Sequence, residues 1–191
     1  MRKKGLIFVV SAPSGGGKTT ICRKVLKKVK GLTPSVSATT RRARPGEKHK
    51  KDYHYLPENA FKKAIKDRKF LEWEKNFGYL YGTPKKNILD KIKKGEDVIL
   101  SIDVKGAMNI KKKFPESILI FIKPPSFKEL LRRLKSRNTD DDTEIKKRIK
   151  IAKRELRFSP KYDYVVVNKK LESAIARVAS IIKKERKRKG G

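Results

Sequence analysis

The chain has 191 residues, a length suited to one domain, and 37% of them are hydrophobic, enough to build a packed core. Its 53 Lys and Arg against 20 Asp and Glu give a formal charge of +33, which points to polyanionic partners. No apolar run is long enough to span a bilayer, no leader is read at the start, and the single cysteine, Cys22, excludes an internal disulfide; a cytoplasmic protein with no membrane partner is expected.

The first predicted element is a buried strand over 6–11. It runs into Ala12-Pro13-Ser14-Gly15-Gly16-Gly17-Lys18-Thr19-Thr20, and apolar positions at helical spacing follow over 18–30. Strand, glycine-rich turn, Lys-Thr and helix form the context of a phosphate-binding loop. The glycines let the backbone curl so that several N–H groups point at one centre, and the helix N-terminus adds positive potential there. In such a loop Lys18 sits on the β- and γ-phosphates of a nucleotide and the Thr19 hydroxyl holds Mg²⁺. Ala12 stands where the usual pattern has its first glycine, which the turn accommodates if φ there is negative.

Further strands are predicted over 97–103, 117–122 and 164–167, with helices over 84–94, 104–113, 126–136, 143–158 and 170–187 between and after them. Ser126 and Glu129 have the spacing of a capping box. This alternation predicts an α/β protein with a mainly parallel sheet. The stretch 35–83 differs, with short alternating runs, aromatic clusters and one helix over 57–67; it reads as an inserted β-rich lobe. The segment 137–143 reads as the tip of a mobile lid, and the basic tail over 183–191 is expected to fray.

Several groups carry chemistry. Arg41, Arg42 and Arg44 flank a tight turn, and guanidinium forks suit phosphate oxygens; the pattern reads equally well as a second anion site or as a basic surface loop. Glu72 lies beside Trp73 on an apolar strand. A carboxylate there needs donors, and a guanine edge offers two, although a lysine-paired surface glutamate has the same sequence pattern.

Ala-Pro-Ser-Gly-Gly-Gly-Lys18-Thr19, Ser37-Ala-Thr-Thr-Arg41-x-x-Arg44-Pro-Gly-Glu, Asp52-Tyr53, Phe-Leu-Glu72-Trp, Tyr81-Gly-Thr83, Ile102-Asp103-Val-Lys-Gly106 and Val-Val-Val-Asn168 occur in that order. Together they resemble the guanylate kinase family over nearly the whole chain. The resemblance implies a three-layer P-loop NTPase fold with a parallel core sheet, an inserted mixed β-rich GMP-binding lobe and a helical lid. The corresponding segments are 1–34, 84–136 and 159–191 for the core, 35–83 for the lobe and 137–158 for the lid.

It also implies transfer of the ATP γ-phosphoryl group to GMP, with dGMP as a second acceptor. Residues 12–20 would bind ATP, with Thr19 on Mg²⁺ and Asn168 near the adenine. Ser37, Glu72 and Thr83 would contact guanine, and Asp103 either its amino group or the magnesium shell. Arg41, Arg44, Tyr53 and Tyr81 would hold the GMP phosphate, with Arg133, Arg137 and Arg148 meeting the transferring group from the lid side. Ser101 replaces an acid frequent in the family, and Thr83 replaces a common serine while keeping the hydroxyl. The alternatives are another nucleoside monophosphate kinase and a non-catalytic module of the same fold. The chain has no zinc-ligand spacing or aromatic RNA-binding motif, so specific nucleic-acid recognition is not expected, whereas weak salt-sensitive adhesion is. The sequence assigns no oligomeric state.

Overall fold

The computed structural model describes residues 4–76, 78–135 and 142–190. Its core sheet is made of β1 (Ile7–Ser11), β2 (Leu32–Pro34), β7 (Asp97–Ser101), β8 (Ile118–Lys123) and β9 (Tyr164–Val167), all parallel, in the order β2-β7-β1-β8-β9. Every residue of β1 is buried, because helices cover both faces of the sheet. Phe8 and Val10 point to a cluster shared with α1 (Lys18–Lys28) and α7 (Leu171–Gly190). Ile7 and Val9 point to the opposite cluster, with α3 (Lys85–Lys93) and α4 (Val104–Lys113). The period-two alternation of one strand thus fills both halves of a three-layer core.

A second, mixed sheet is made of β3 (Ala38–Thr39), β4 (His54–Tyr55), β5 (Phe70–Asn76) and β6 (Tyr79–Pro84), in the order β4-β3-β6-β5. Helix α2 (Glu58–Lys66) covers it, with Phe61 stacked on Phe70 at 4.6 Å between ring centroids. The pairing of β5 with β6 slips by one residue between Phe70 and Glu72. This bulge turns two consecutive side chains inward, Leu71 into the core and Glu72 toward the cleft, where a regular strand would expose one of them. Helices α5 (Phe127–Lys135) and α6 (Asp142–Leu156) pack on each other through Leu130, Leu134 and Ala152.

Three expectations need correction. Strand β2 is not among the predicted strands; it is three residues long and ends in proline. The Ser126–Glu129 pair forms only half a capping box: the Glu129 N–H donates to Ser126 Oγ, but the Glu129 carboxylate accepts from Arg132 and Arg133. The C-terminal segment does not fray. Arg186 reaches Asp97 at 2.6 Å and the Lys30 carbonyl at 2.9 Å, Lys189 donates to the Gly5 carbonyl, and Tyr164 donates to the buried Glu185. Those contacts pin the last turns of α7 to the amino-terminal end of the sheet. Among the described residues no helix is long and apolar enough to cross a membrane.

Candidate active site

The site is built at the carboxyl ends of the core strands, where β1 lies between neighbours reached by crossovers in opposite directions. Open parallel sheets bind ligands at such a crevice. The chain leaves β1 at Ser11 and turns at once. Gly15 and Gly17 have φ of +83° and +88°, values that side chains rarely accept. Ala12 is not in the left-handed region. A Cβ on Gly16 would lie 2.8 Å from the Ala12 Cβ, so Ala12 is compatible with the turn because Gly16 carries no side chain.

Helix α1 starts with Gly17 as its cap, no side-chain cap and no acid in its first turn. Its first N–H groups are therefore left for an external anion. They face a cavity of about 210 Å³ lined by the loop, by Lys18, Thr19 and Thr20, and by Asn76, Asp103 and Glu155. The Lys18 ammonium donates to the Ile102 carbonyl at 2.7 Å, just past the end of β7. Burial lowers its pKa; Asp103, Glu155 and Glu72 work against that shift.

A larger cleft of about 410 Å³ adjoins the loop. Ser37, Arg41, Arg44, Tyr53 and Tyr81 line it from the mixed sheet and its loops, and Glu72 from the bulged strand. Thr83, fully buried, does not line it but donates its hydroxyl proton to Glu72 Oε1. Burial raises the Glu72 pKa to about 7, with nearby Asp103 and Glu74 adding to the rise and the Thr83 bond opposing it. Glu72 is thus a carboxyl group poised to ionise when suitable donors arrive. Asp103 caps α4 through the Gly106 N–H at 2.9 Å and accepts from Asn76 Nδ2 at 3.4 Å, which ties the β5 strand end to the core across the cleft.

Arg41 is held in place before any ligand binds. Its guanidinium donates to both oxygens of Glu47 at 3.0 and 2.8 Å and lies 5.6 Å from the centroid of the Tyr53 ring. Glu47 also accepts from the Arg44 N–H and the Tyr55 hydroxyl, both at 2.8 Å. One carboxylate therefore organises the arginine turn.

The lid-side residues are placed differently from one another. Arg148, on α6, lines the larger cleft. Arg133, on α5, donates to Glu129 at 2.8 Å and to the Asn168 carbonyl at 3.1 Å, and it lines neither cavity. Arg137 lies outside the described residues. Asn168 is buried behind the loop, its amide donating to the Gly16 carbonyl at 3.0 Å, so in this arrangement it braces the loop.

Several residues in the site carry no role in the sequence reading, among them Asn76, Glu47 and Glu155. Glu47 stands in the sequence only as the last residue of the arginine motif. Glu155, on α6, accepts the Ser14 N–H at 3.2 Å, and burial raises its pKa to about 7. Glu155 lies seven residues, two helical turns, after Arg148 and so shares its cleft-facing side. Four residues, Ser14, Lys18, Asn76 and Asp103, line both cavities. The two cavities therefore share one wall, an arrangement suited to passing a group between two ligands bound side by side.

Comparison with known proteins agrees with this geometry. The guanylate kinase family model matches residues 4–185. A guanylate kinase of Caldanaerobacter subterraneus subsp. tengcongensis is 46% identical over 182 residues, covering 95% of this chain and 88% of the relative. The crystal structure of guanylate kinase from Anaplasma phagocytophilum superposes with a TM-score of 0.82 at 34% identity, over 97% of this chain and 88% of that one. Shikimate kinase from Bacteroides thetaiotaomicron superposes with a TM-score of 0.55 at 15% identity, over 93% and 98% of the two chains, a likeness of fold alone.

Proposed function

The chain belongs to the guanylate kinase family, whose reaction is ATP + GMP giving ADP + GDP, and from that premise we propose how its own residues divide the work. The loop cavity takes the ATP phosphates. The larger cleft takes GMP, with its phosphate on Arg41, Arg44, Tyr53 and Tyr81 and its base on Glu72 and Ser37, while the buried Thr83 holds Glu72 from behind. The observation that carries this reading is the shared wall: Lys18 lines both cavities. The segment 35–83 acts as the GMP lobe and 137–158 as the lid over a core formed by the rest. A single buried cysteine and nucleotide substrates fit a cytoplasmic enzyme.

The nucleophile is a GMP phosphate oxygen, anionic near neutral pH, so no general base is required. The difficulty is bringing two polyanions together. Lys18, the uncapped α1 amides and the arginines offset their repulsion, and catalysis rests on positioning and preorganised charge. Arg41 trades one oxygen pair for another when phosphate replaces Glu47 as its acceptor. Arg148 meets the transferring group from α6. Closing of lobe and lid excludes water, which would otherwise hydrolyse ATP.

Thr19 and Asp103 line the loop cavity and offer the hard oxygen donors that Mg²⁺ takes, and substrate phosphates would supply others. When bound, the ion neutralises charge on the β- and γ-phosphates. Turnover measured with ATP, Mg²⁺ and each of GMP, AMP, CMP and dTMP tests the assignment. Only GMP should support rapid ADP formation, and equal turnover with any other acceptor would remove Glu72 and Ser37 from the role of base readers.

A further inference from the structure

The phosphate-transfer chemistry leaves the charge of +33 unexplained, because most of the cations lie outside the two cavities. One group of them gathers on two neighbouring helices. Helices α1 and α7 pack side by side on one face of the core sheet. Both run away from the carboxyl ends of the strands, so their last turns meet at the opposite end from the nucleotide clefts. The Arg186 guanidinium marks the junction by donating to the Lys30 carbonyl at the end of α1.

Around that junction Lys24, Lys27, Lys28, Lys183, Lys184 and Lys187 are all exposed. Helix α1 contains no acid. Helix α7 contains two: Glu172 lies in its first turn, at the far end, and Glu185 is buried and taken up by Tyr164 and Arg188. The joined helix ends therefore carry dense positive charge with no exposed acid among them. Like charges held so close repel one another and cost stability, a cost that a bound polyanion removes.

We propose that the joined last turns of α1 and α7 are a docking surface for the phosphodiester backbone of duplex nucleic acid. Three features select this partner. The surface offers charge alone, which suits a duplex with about one phosphate charge per 1.7 Å of axis. It carries no exposed aromatic side chain on which unpaired bases could stack, as single-strand binders require: among the described residues the exposed large apolar ones are Trp73, Tyr79, Val165 and Val167, all on other elements. For the same reason it has no apolar side chain to sink into a bilayer, as membrane-surface helices do. Binding here is sequence-independent and leaves the nucleotide clefts open, so the kinase can work while tethered.

The test is fluorescence anisotropy on the full chain, with labelled RNA and DNA duplexes of about 20 base pairs and the matching single strands, between roughly 50 and 200 mM salt. Sedimentation with phosphatidylserine vesicles runs in parallel. Both duplexes should bind, with affinity falling on the order of 100-fold across that range if about four phosphates are contacted. The quadruple variant K27Q/K28Q/K183Q/K187Q should lower the salt slope by about 3. A control with the same charge change elsewhere, K63Q/K66Q/K86Q/K93Q, should lower it by less than about 1. Both variants should phosphorylate GMP at the wild-type rate, which verifies their folding. Equal loss in the two quadruple variants would reduce the effect to diffuse charge and overturn the proposal. So would tighter binding to single strands or vesicles than to duplex, or no binding at the low-salt end.

Discussion

Glu155 Oε2 accepts the backbone N–H of Ser14 at 3.2 Å, joining helix α6 to the phosphate loop across 141 positions of sequence. A carboxylate from the lid side thus occupies an amide of the loop that is proposed to receive ATP. Ionised, it repels the incoming phosphates; protonated, it does not. Its pKa is raised to about 7, chiefly by burial, so the folded chain holds this proton where an unfolded glutamate, near 4.5, has lost it. Stability therefore falls as pH rises from about 4.5 to about 7 and levels off above, with a slope of at most about 1.4 kcal/mol per pH unit from this group. Glu155→Gln keeps an oxygen acceptor for Ser14 but removes the charge. Denaturant titrations should show a flatter pH profile for the variant, and its KM for ATP at pH 8 should fall below that of the wild type. An unchanged profile and an unchanged KM would make Glu155 a structural residue only.

Lys18 reaches the Ile102 carbonyl and lines both cavities. Lys18→Ala should lower kcat by about 10² to 10³-fold, the range seen when a preorganised group facing developing charge is removed. Its thermal midpoint should stay close to the wild-type value, because the lost bond is made at the edge of a cleft that water reaches. A variant that keeps most of its turnover would place the transferring phosphoryl group elsewhere.

The parts of this site that sequence made legible are those where local chemistry is unusual. Gly15, Gly16 and Gly17 before Lys18 can hardly serve another purpose after a buried strand, whereas Glu72 beside Trp73 reads equally as a surface acid and gains its role only from the family resemblance. Glu155 was hidden because it sits among Lys153, Arg154 and Arg157, where an acid reads as a partner for surface cations. Its true partner is a backbone amide far away in sequence, and no side-chain pattern records an amide. Strand β2 was hidden for a related reason: three residues ending in Pro34 have no periodicity, and their pairing with β7 is decided by the sheet. The extent of α7 depended on Asp97, Gly5 and Lys30, which low complexity in the tail could not reveal.

Glu72 gives a second pH prediction with its own readout. Its pKa is raised to about 7 by burial, with Asp103 and Glu74 adding to the rise, so near neutral pH the free enzyme is a mixture of protonated and ionised forms. A guanine presenting two N–H donors favours the ionised form. GMP binding at pH 7 should therefore release about half a proton from this group, by the linkage of binding to ionisation. Calorimetric titrations in buffers of different ionisation enthalpy measure that release, and its loss in Glu72→Gln separates it from titration of the GMP phosphate. The same variant should raise KM for GMP by about 10- to 100-fold, the cost of losing hydrogen bonds to a charged group. Equal proton release in both proteins would remove Glu72 from contact with the base.

Gly16 and Ala12 share one small space. A Cβ on Gly16 would meet the Ala12 Cβ at 2.8 Å and the Pro13 carbonyl oxygen at 2.9 Å, the same oxygen that accepts the Gly16 N–H at 2.8 Å. Gly16→Ala must push the loop open, at a cost of about 1–3 kcal/mol for overpacking, and should raise KM for ATP with little change in KM for GMP. Ala12→Gly removes one of the two colliding groups. The double variant A12G/G16A should therefore recover part of the loss, because residues in contact do not act additively. The Pro13 clash remains, so recovery is incomplete. Thermal midpoints and KM for ATP across the four proteins of this cycle give the coupling directly. A coupling near zero would mean that Ala12 and Gly16 do not compete for space, and that the turn accepts alanine at its first position for another reason.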